Sequence, residues 1–276
     1  MTSRPELDLD NPATDPFELA RHAAAFLAER TGVERHDVLL VLGSGWGGAA
    51  DLVGETVAEI ESHEIPGFAA PAVAGHSATT RSIRLEDGRH ALVLGSRTHL
   101  YEGRGVRRVV HGVRTAAAAG CSTVILTNGC GGLRPWAPGT PVLISDHINL
   151  TGTSPLEGAT FVDLTDLYSS RLRAIAREVD GSLDEGVYVQ FRGPHYETPA
   201  EVRMAGIMGG DLVGMSTTLE AIAARHAGLE ILGLSLVTNL AAGISATALS
   251  HEEVLEAGQA AGPRISALLA EITRRI

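Results

Sequence analysis

Four polar side chains follow a short apolar run in the first half of the chain, and they are close enough in sequence to form one site. The run is Ala91–Leu94, and the polar residues are Arg97, His99, Tyr101 and Glu102. The planar fork of an arginine suits phosphate, and a carboxylate such as Glu102 can orient His99 by hydrogen bonding. Because ligands of open α/β sheets bind beyond the carboxyl ends of the strands, the segment predicts part of an anion site. A solvated, charged loop explains the same residues when they are taken alone.

A glycine-rich loop, Gly43–Gly48, follows the apolar run Val38–Leu42 and fits the GxGxxG pattern of dinucleotide sites. We reject a dinucleotide site because Val57–Glu61 predicts the next strand and leaves too little chain for a crossover helix. A glycine loop after a strand can instead hold one phosphate through backbone N–H groups and the Ser44 hydroxyl. A tight turn that needs flexible glycines is the open alternative.

Further predicted strands each end at a polar residue that could do chemistry. These residues are, in chain order, Asn128 with Gly129, Glu197, Ser216 and Asn239. Several such strand ends together predict one pocket that all of them line. Asn128 begins a second predicted glycine loop, Asn128–Gly132, in which it also fits the alternative of a plain turn residue. Thr198 and Pro199 predict a helix start directly after Glu197, and a helix N-terminus favours the ionised form of a carboxylate.

Length and composition exclude several classes of protein. With 276 residues and 44% hydrophobic content, the chain can bury one large core or two small ones. A net charge of −11 argues against nucleic acid or an anionic membrane as the main partner. All 22 basic residues are arginine, which excludes Schiff-base chemistry on lysine, the usual attachment of pyridoxal phosphate, and the lysine of a P-loop.

The cysteines and histidines show no metal-ligand spacing, so no metal site is predicted. The two cysteines, Cys121 and Cys130, also argue against a disulfide framework. No apolar run approaches the roughly 20 residues of a membrane helix. The N-terminus is polar and acidic, which does not fit a signal peptide. We therefore expect a cytoplasmic enzyme or binding protein.

Predicted strands and helices alternate through most of the chain, without an internal repeat or a linker. Thr79–Leu85 and Ala91–Leu94 predict a hairpin. The predicted helices include Phe17–Arg30, Val106–Ala119, Asp166–Glu178, Leu219–Ala227 and His251–Ile276. We expect a single α/β domain over residues 17–276, with a mixed central β-sheet flanked by helices. Residues 1–16 are expected to form a flexible N-terminal arm.

Taken together, these motifs resemble the purine nucleoside phosphorylases, in particular the trimeric class that prefers 6-oxopurines. The most specific segments are RTHLYEG at Arg97–Gly103, GPHYET at Gly193–Thr198 and GMST at Gly214–Thr217. The other matching segments, in the order of the family, are Gly43–Gly48, Gly75-His76, Thr127–Leu133, Asp146–Leu150, Thr238-Asn239 and His251–Gly258. The resemblance covers residues 38–260 and implies a nucleoside phosphorylase-like fold.

The resemblance also implies three groups of site residues and an oligomer. Phosphate, a co-substrate, would be bound by Ser44, His76, Arg97, Thr98, His99, the backbone N–H of Gly129, and Ser216. Ribose would contact Tyr101, Met215 and His251. The purine would contact Tyr196, Glu197, Val213 and Asn239, with Phe161 reaching in from a neighbouring subunit of a trimer. The catalytic residues would be His99, Glu197 and Asn239, with Glu102 orienting His99, and no metal or other cofactor is implied.

The implied reaction is the reversible phosphorolysis of (deoxy)inosine and (deoxy)guanosine to free base and (deoxy)ribose 1-phosphate, a step of purine salvage. Three alternatives stay open. A methylthioadenosine phosphorylase would accept adenine nucleosides. A nucleoside hydrolase would need aspartates clustered around calcium, and the sequence shows no such cluster. A catalytically inactive nucleoside-binding protein would bind inosine without releasing the base when phosphate is added.

Overall fold

A nine-stranded mixed β-sheet forms the centre of the molecule. The computed structural model describes residues 8–69, 79–244 and 251–276, with the backbone alone for residues 251–254. The strands are β1 Val38–Val41, β2 Glu55–Glu61, β3 Thr79–Arg84, β4 His90–Leu94, β5 Thr123–Gly132, β6 Thr140–Asn149, β7 Asp184–Gln190, β8 Leu212–Gly214 and β9 Glu230–Leu240. The helices are α1 Pro16–Thr31, α2 Ala50–Val53, α3 Val106–Val109, α4 His111–Ala118, α5 Ser170–Val179, α6 Pro199–Ile207, α7 Thr218–His226 and α8 His251–Arg275. The predicted fold class, a single α/β domain with a mixed sheet flanked by helices, is confirmed.

The sheet combines an open part with a closed ring. Its strand order is β2-β3-β4-β1-β5-β8-β7-β6-β9, and β9 pairs with β5 as well. Strands β4, β1, β5 and β9 are parallel neighbours, so their carboxyl ends lie along one edge. The loops that follow these strands are therefore brought together, as expected for a ligand site on an α/β sheet.

Both faces of the sheet are covered, which β1 shows most simply because its four residues are all buried. Leu39 and Val41 pack into a cluster with residues of α1, α4 and α7. Val38 and Leu40 point to the opposite face and pack with residues of α2, α5 and α8. This alternation follows from the two-residue repeat of a strand, and burial on both faces is typical of parallel strands.

Helix boundaries follow local capping chemistry. Helix α1 begins where the Asp15 carboxylate accepts the N–H of Phe17 at 2.8 Å, close to the predicted start. The helix predicted over Val106–Ala119 is instead two helices, because Val110 departs from helical geometry at φ −101° and ψ 3°. The helix predicted from Asp166 begins only at Ser170, because the Ser169 hydroxyl caps it by accepting the N–H of Leu172 at 3.1 Å.

The prediction of a second glycine loop is wrong, because Asn128 and the glycines that follow it are part of strand β5. This strand pairs in parallel with β9 as far as Gly132, and its last residues also pair with β8. A side chain at Gly131 would lie 3.1 Å from Val213 Cγ2, so the missing side chain lets the two strands approach. The turn alternative for Asn128 is therefore wrong as well.

The chain between β1 and β2 holds only a short turn of 3₁₀ helix, Gly47–Ala49, and the four-residue helix α2. These two strands are not neighbours in the sheet. The GxGxxG pattern therefore does not lead into a crossover helix between adjacent parallel strands, which is the arrangement that a dinucleotide-binding unit needs. No helix in the described part of the chain is long and apolar enough to cross a membrane.

The described part of the N-terminal arm, residues 8–15, lies against α3. The Arg108 guanidinium pairs with Asp8 at 2.7 Å and with Asp10 at 2.9 Å. Arg107 donates to the backbone carbonyl of Thr14 at 3.0 Å and pairs with Glu157 at 2.6 Å. One arginine thus joins the N-terminal segment to the long loop between β6 and α5.

Candidate active site

An open cleft lies beside the carboxyl ends of β1, β4, β5 and β9. Most of the predicted site residues line it, although they come from segments far apart in the sequence. They are Ser44, Arg97, His99, Tyr101, Gly129, Tyr196, Glu197, Val213, Met215, Ser216 and Asn239. Asn128 lines the cleft too. The pocket predicted from the polar residues at the strand ends is therefore present.

Two predicted residues, Thr98 and Phe161, lie outside the cleft. Thr98 does not line the cleft but a neighbouring cavity, together with Ser96 and Arg108, because successive residues after β4 point in different directions. Phe161 is 94% exposed on the surface and does not line the cleft of its own chain. His76 lies outside the described residues, and so does the side chain of His251, the first residue of α8.

The Arg97 side chain is buried and held at two of its three nitrogens. Its Nε lies 3.0 Å from Oε2 of Glu220, and its Nη1 donates to the Thr127 carbonyl at 2.5 Å. Its Nη2 is buried and has no hydrogen-bond partner among the described residues. A guanidinium is planar, so two fixed nitrogens also fix the third. Because Arg97 lines the cleft, its fixed charge suits an anion bound there.

The first glycine loop packs closely against β5. A side chain at Gly43 would lie 2.6 Å from the Thr127 carbonyl oxygen and 2.8 Å from Asn128 Cα. The Gly43 N–H donates to Thr127 Oγ1 at 2.9 Å, which fixes this approach. Glycine is required here because only hydrogen fits in that gap. The contact brings Ser44 to the same part of the cleft as Gly129.

The turn that carries Ser216 is held by a strained residue. Thr217 has φ +79°, the left-handed region that few non-glycine residues adopt. Its hydroxyl accepts from Asn128 Nδ2 at 2.9 Å, and its N–H donates to Glu220 Oε2 at 3.1 Å. Sequence reasoning missed Glu220, although Thr217 and Glu220 have the spacing of a capping box at the start of α7.

His99 and Tyr101 form a stacked pair with ring centroids 4.7 Å apart and planes inclined by 13°. Glu102 Oε1 accepts the backbone N–H of His99 at 2.7 Å and lies 3.4 Å from its Nδ1. Burial acts to raise the pKa of Glu102, but its hydrogen bonds with His99 and the nearby Arg104 charge lower that pKa overall. An ionised Glu102 beside Nδ1 favours one orientation of the imidazole ring, which fits the predicted orienting role.

A carboxylate, an amide and an aromatic ring also line the cleft. Glu197 is 7% exposed, and its Oε1 has no hydrogen-bond partner in the described part of the chain. Asn239 lines the same cleft, with its Oδ1 accepting from the Thr238 hydroxyl at 2.9 Å. Tyr196 lines the same region and is 38% exposed. Such groups can pair with the polar edge of a flat heterocycle.

Burial raises the pKa of Glu197, and Glu201 adds a repulsion of the same sign. Helix α6 does begin at Pro199 with Thr198 as its N-cap, as predicted. The expectation that this helix start favours the ionised form of Glu197 is nevertheless wrong as a net effect. The loss of hydration on burial is the largest influence on this pKa, and it outweighs the lowering by a backbone N–H and by His195.

Comparison with known proteins adds to this geometry. Residues 37–274 match the phosphorylase superfamily. A purine nucleoside phosphorylase of Cellulomonas sp is 76% identical over 272 residues, which cover 97% of this chain and 96% of the relative. The chain belongs to the purine nucleoside phosphorylases. The resemblance stated from the sequence motifs is therefore confirmed for the family and its enzyme class, the pentosyltransferases.

Solved structures of purine nucleoside phosphorylases share the fold. A Schistosoma enzyme in complex with hypoxanthine superposes with a TM-score of 0.85 at 31% identity, over 94% of this chain and 97% of that one. Isoform 2 of the enzyme from Schistosoma mansoni, in complex with cytosine and ribose-1-phosphate, gives a TM-score of 0.86 at 29% identity. That match covers 95% of this chain and 99% of the other.

The first prediction concerns the Arg97 donor. Arg97→Gln should weaken the binding of inorganic phosphate roughly tenfold to a hundredfold, because losing a hydrogen bond to a charged group costs about 1.5–3 kcal/mol. Isothermal titration calorimetry with phosphate measures the change. Arg134→Gln is the matched control, because Arg134 is an exposed arginine that does not line the cleft. Unchanged phosphate affinity in Arg97→Gln would reassign Arg97 to a purely structural role.

Proposed function

We propose that the chain catalyses the phosphorolysis of 6-oxopurine nucleosides. In this reaction phosphate attacks the anomeric carbon of (deoxy)inosine or (deoxy)guanosine, releasing the purine base and forming (deoxy)ribose 1-phosphate. The observation that carries the proposal is that two kinds of polar group line one cleft, and we assign them to a phosphate end and a base end. Arg97 and Ser216 supply donors for an anion, whereas Glu197 and Asn239 suit the polar edge of a purine. The sugar would lie between these ends, against Tyr101 and Met215.

The cleft can promote this reaction by positioning and by electrostatic stabilisation. Holding phosphate and nucleoside in one pocket removes much of the entropy cost of bringing them together. As the bond to the base stretches, the sugar takes on oxocarbenium character, as in glycoside cleavage. The attacking phosphate then lies beside the developing positive charge. On the other side of the bond, Asn239 can donate to the purine as negative charge builds on it.

The base end favours a 6-oxopurine over adenine. An ionised Glu197 only accepts hydrogen bonds, so it suits the N1–H of hypoxanthine and the N1–H and 2-amino group of guanine. The Asn239 amide can donate to O6 or N7. Adenine presents a bare N1 and a 6-amino donor, so its pairing with both residues is mismatched. A buried mismatch of this kind discriminates by about 10⁴ or more.

The similar proteins of known structure support both halves of the proposal. The Schistosoma enzyme was solved with hypoxanthine, a 6-oxopurine base. The second enzyme was solved with ribose-1-phosphate. These molecules are the two products expected from inosine and phosphate. We also propose that no metal or organic cofactor takes part, since the residues named above supply donors and acceptors for both substrates.

The second prediction is a phosphate requirement combined with a base preference. Inosine and guanosine should release base only when phosphate is present, and a metal chelator should not change the rate. Adenosine should react about 10⁴-fold more slowly, because of the mismatch at Glu197 and Asn239. Base release is followed by absorbance or chromatography. Equal rates without phosphate would indicate a hydrolase. Fast cleavage of adenosine or methylthioadenosine would indicate a methylthioadenosine phosphorylase. Binding of inosine without release of the base would indicate an inactive binding protein.

The third prediction follows from the raised pKa of Glu197. Only the ionised carboxylate accepts the N1–H of the base, so hypoxanthine affinity should be full above this pKa and decrease as the pH falls through it. The decrease should begin at a higher pH than an ordinary glutamate would give. Calorimetric titrations of hypoxanthine across the acid range measure it.

Glu197→Gln should bind hypoxanthine weakly and without this decrease in the acid range. Glu201→Gln is the matched control and should retain the decrease, shifted to slightly lower pH because the repulsion that Glu201 exerts on Glu197 is removed, since Glu201 lies on α6 outside the cleft. An identical pH dependence in Glu197→Gln would show that another group titrates.

The fourth prediction is a trimer in which Phe161 completes a neighbouring cleft. The support is that this large apolar side chain is 94% exposed on its own chain, and an aromatic ring gains most by burial at an interface. Sedimentation should give the mass of three chains. Phe161→Ala should raise the KM for inosine, whereas the KM for phosphate should stay within about twofold, because the ring would contact only the nucleoside. Ile207→Ala, at another exposed apolar residue, is the control. A fully active monomer would contradict the proposal.

A further inference from the structure

Glu220 does not line the cleft, but its carboxylate holds two segments that carry residues of the cleft. Glu220 is 3% exposed in the first turn of α7. Its two oxygens lie 3.2 Å and 3.0 Å from Arg97 Nε, and Oε2 also accepts the backbone N–H of Thr217 at 3.1 Å. Arg97 follows β4 in the sheet, whereas Thr217 belongs to the turn between β8 and α7. One buried side chain therefore joins two distant segments of the chain.

Both segments carry a candidate donor for the anion. Holding Nε of Arg97 directs its partnerless Nη2, because the guanidinium is rigid and planar. Holding the N–H of Thr217 keeps this residue at φ +79°, a conformation that persists only where the surroundings enforce it. The Ser216 hydroxyl lies 3.2 Å from Thr217 Oγ1 and lines the cleft. The position of Ser216 is thus tied to that of Arg97 through Glu220.

Capping a helix does not by itself require that the carboxylate be buried or that it pair with an arginine. Helix α6 begins with the same capping box, in which Glu201 accepts the N–H of Thr198 at 2.7 Å. Glu201 is nevertheless only partly buried, and it forms no ion pair within the described ranges. Burying a carboxylate is costly unless it is paired, so the burial of Glu220 beside Arg97 indicates a role beyond capping.

We propose that Glu220 is a positioning residue of the anion site, which fixes the Arg97 guanidinium and the Ser216 turn relative to each other. This inference rests on the proposed function, because it assumes that the anion is the phosphate co-substrate. Glu220 does not itself touch phosphate. It acts through Arg97 and Thr217, so its loss affects the phosphate end of the cleft. The base end, built by Glu197, Asn239 and Tyr196, keeps its geometry.

The test compares Glu220→Gln with Glu201→Gln, which removes the same charge from the matching position of the other capping box. Glutamine keeps the size of the side chain but has one acceptor oxygen for two donors. Glu220→Gln should raise the phosphate KM about tenfold or more, the loss expected for a hydrogen bond between charged groups. Its hypoxanthine affinity should stay within about twofold of the unmodified protein. Glu201→Gln should change neither value.

Two outcomes would overturn the proposal. One is an unchanged phosphate KM in Glu220→Gln. The other is an equal weakening of phosphate and hypoxanthine binding, which would indicate a general structural role. If Glu220→Gln does not fold, Glu220→Asp keeps the charge but shortens the reach, and the same split between phosphate and hypoxanthine is expected. The proposed function is tested separately, on the unmodified protein. If that protein does not release base from inosine in the presence of phosphate, the proposed function is refuted. Direct titration with inorganic phosphate would then still compare the variants.

Discussion

The parallel pairing of β5 with β9 is the interaction on which the cleft depends. It closes the ring of the sheet and brings Gly129 beside Thr238, where a side chain on the glycine would lie only 3.2 Å from Thr238 Cγ2. The register shifts between Cys130 and Gly131, so β9 carries an extra residue at this point. As a result Thr238 and Asn239, which are consecutive, both line the cleft. Strict alternation along a strand would turn one of them away, and a bulge relieves that restriction.

Features set by near neighbours in sequence could be predicted from the sequence. The hairpin of β3 and β4 follows from two apolar runs around a turn, and it forms with Thr80 opposite Leu94. The start of α6 follows from Thr198 and Pro199, whose effect is local. The polar residues at the strand ends met in one cleft because parallel strands end at one edge of the sheet, which is a rule of topology.

Features that depend on distant partners could not be predicted. The extension of β5 through its glycines depends on β8 and β9, which lie much later in the chain. Glu220 shows its capping-box spacing locally, but its partner Arg97 is 123 positions away. The effect of burial on the pKa of Glu197 could not be predicted either, because a helix start is visible in the sequence and burial is not. Local chemistry thus set the helix ends, whereas tertiary packing set the electrostatics of the cleft.

Unpaired polar atoms of residues that line the cleft make the stability of the folded protein depend on bound ligand. Arg97 Nη2, Asn128 Oδ1 and Glu197 Oε1 are buried without partners among the described residues, and all three side chains line the cleft. An unsatisfied buried polar group typically costs about 1–3 kcal/mol of stability. A ligand that pairs with them stabilises the folded state by mass action, by about 2.7 kcal/mol at a concentration 100-fold above its Kd. Starvation for substrates would then leave a protein that unfolds and is degraded more readily, so its abundance would follow the supply of the molecules it consumes.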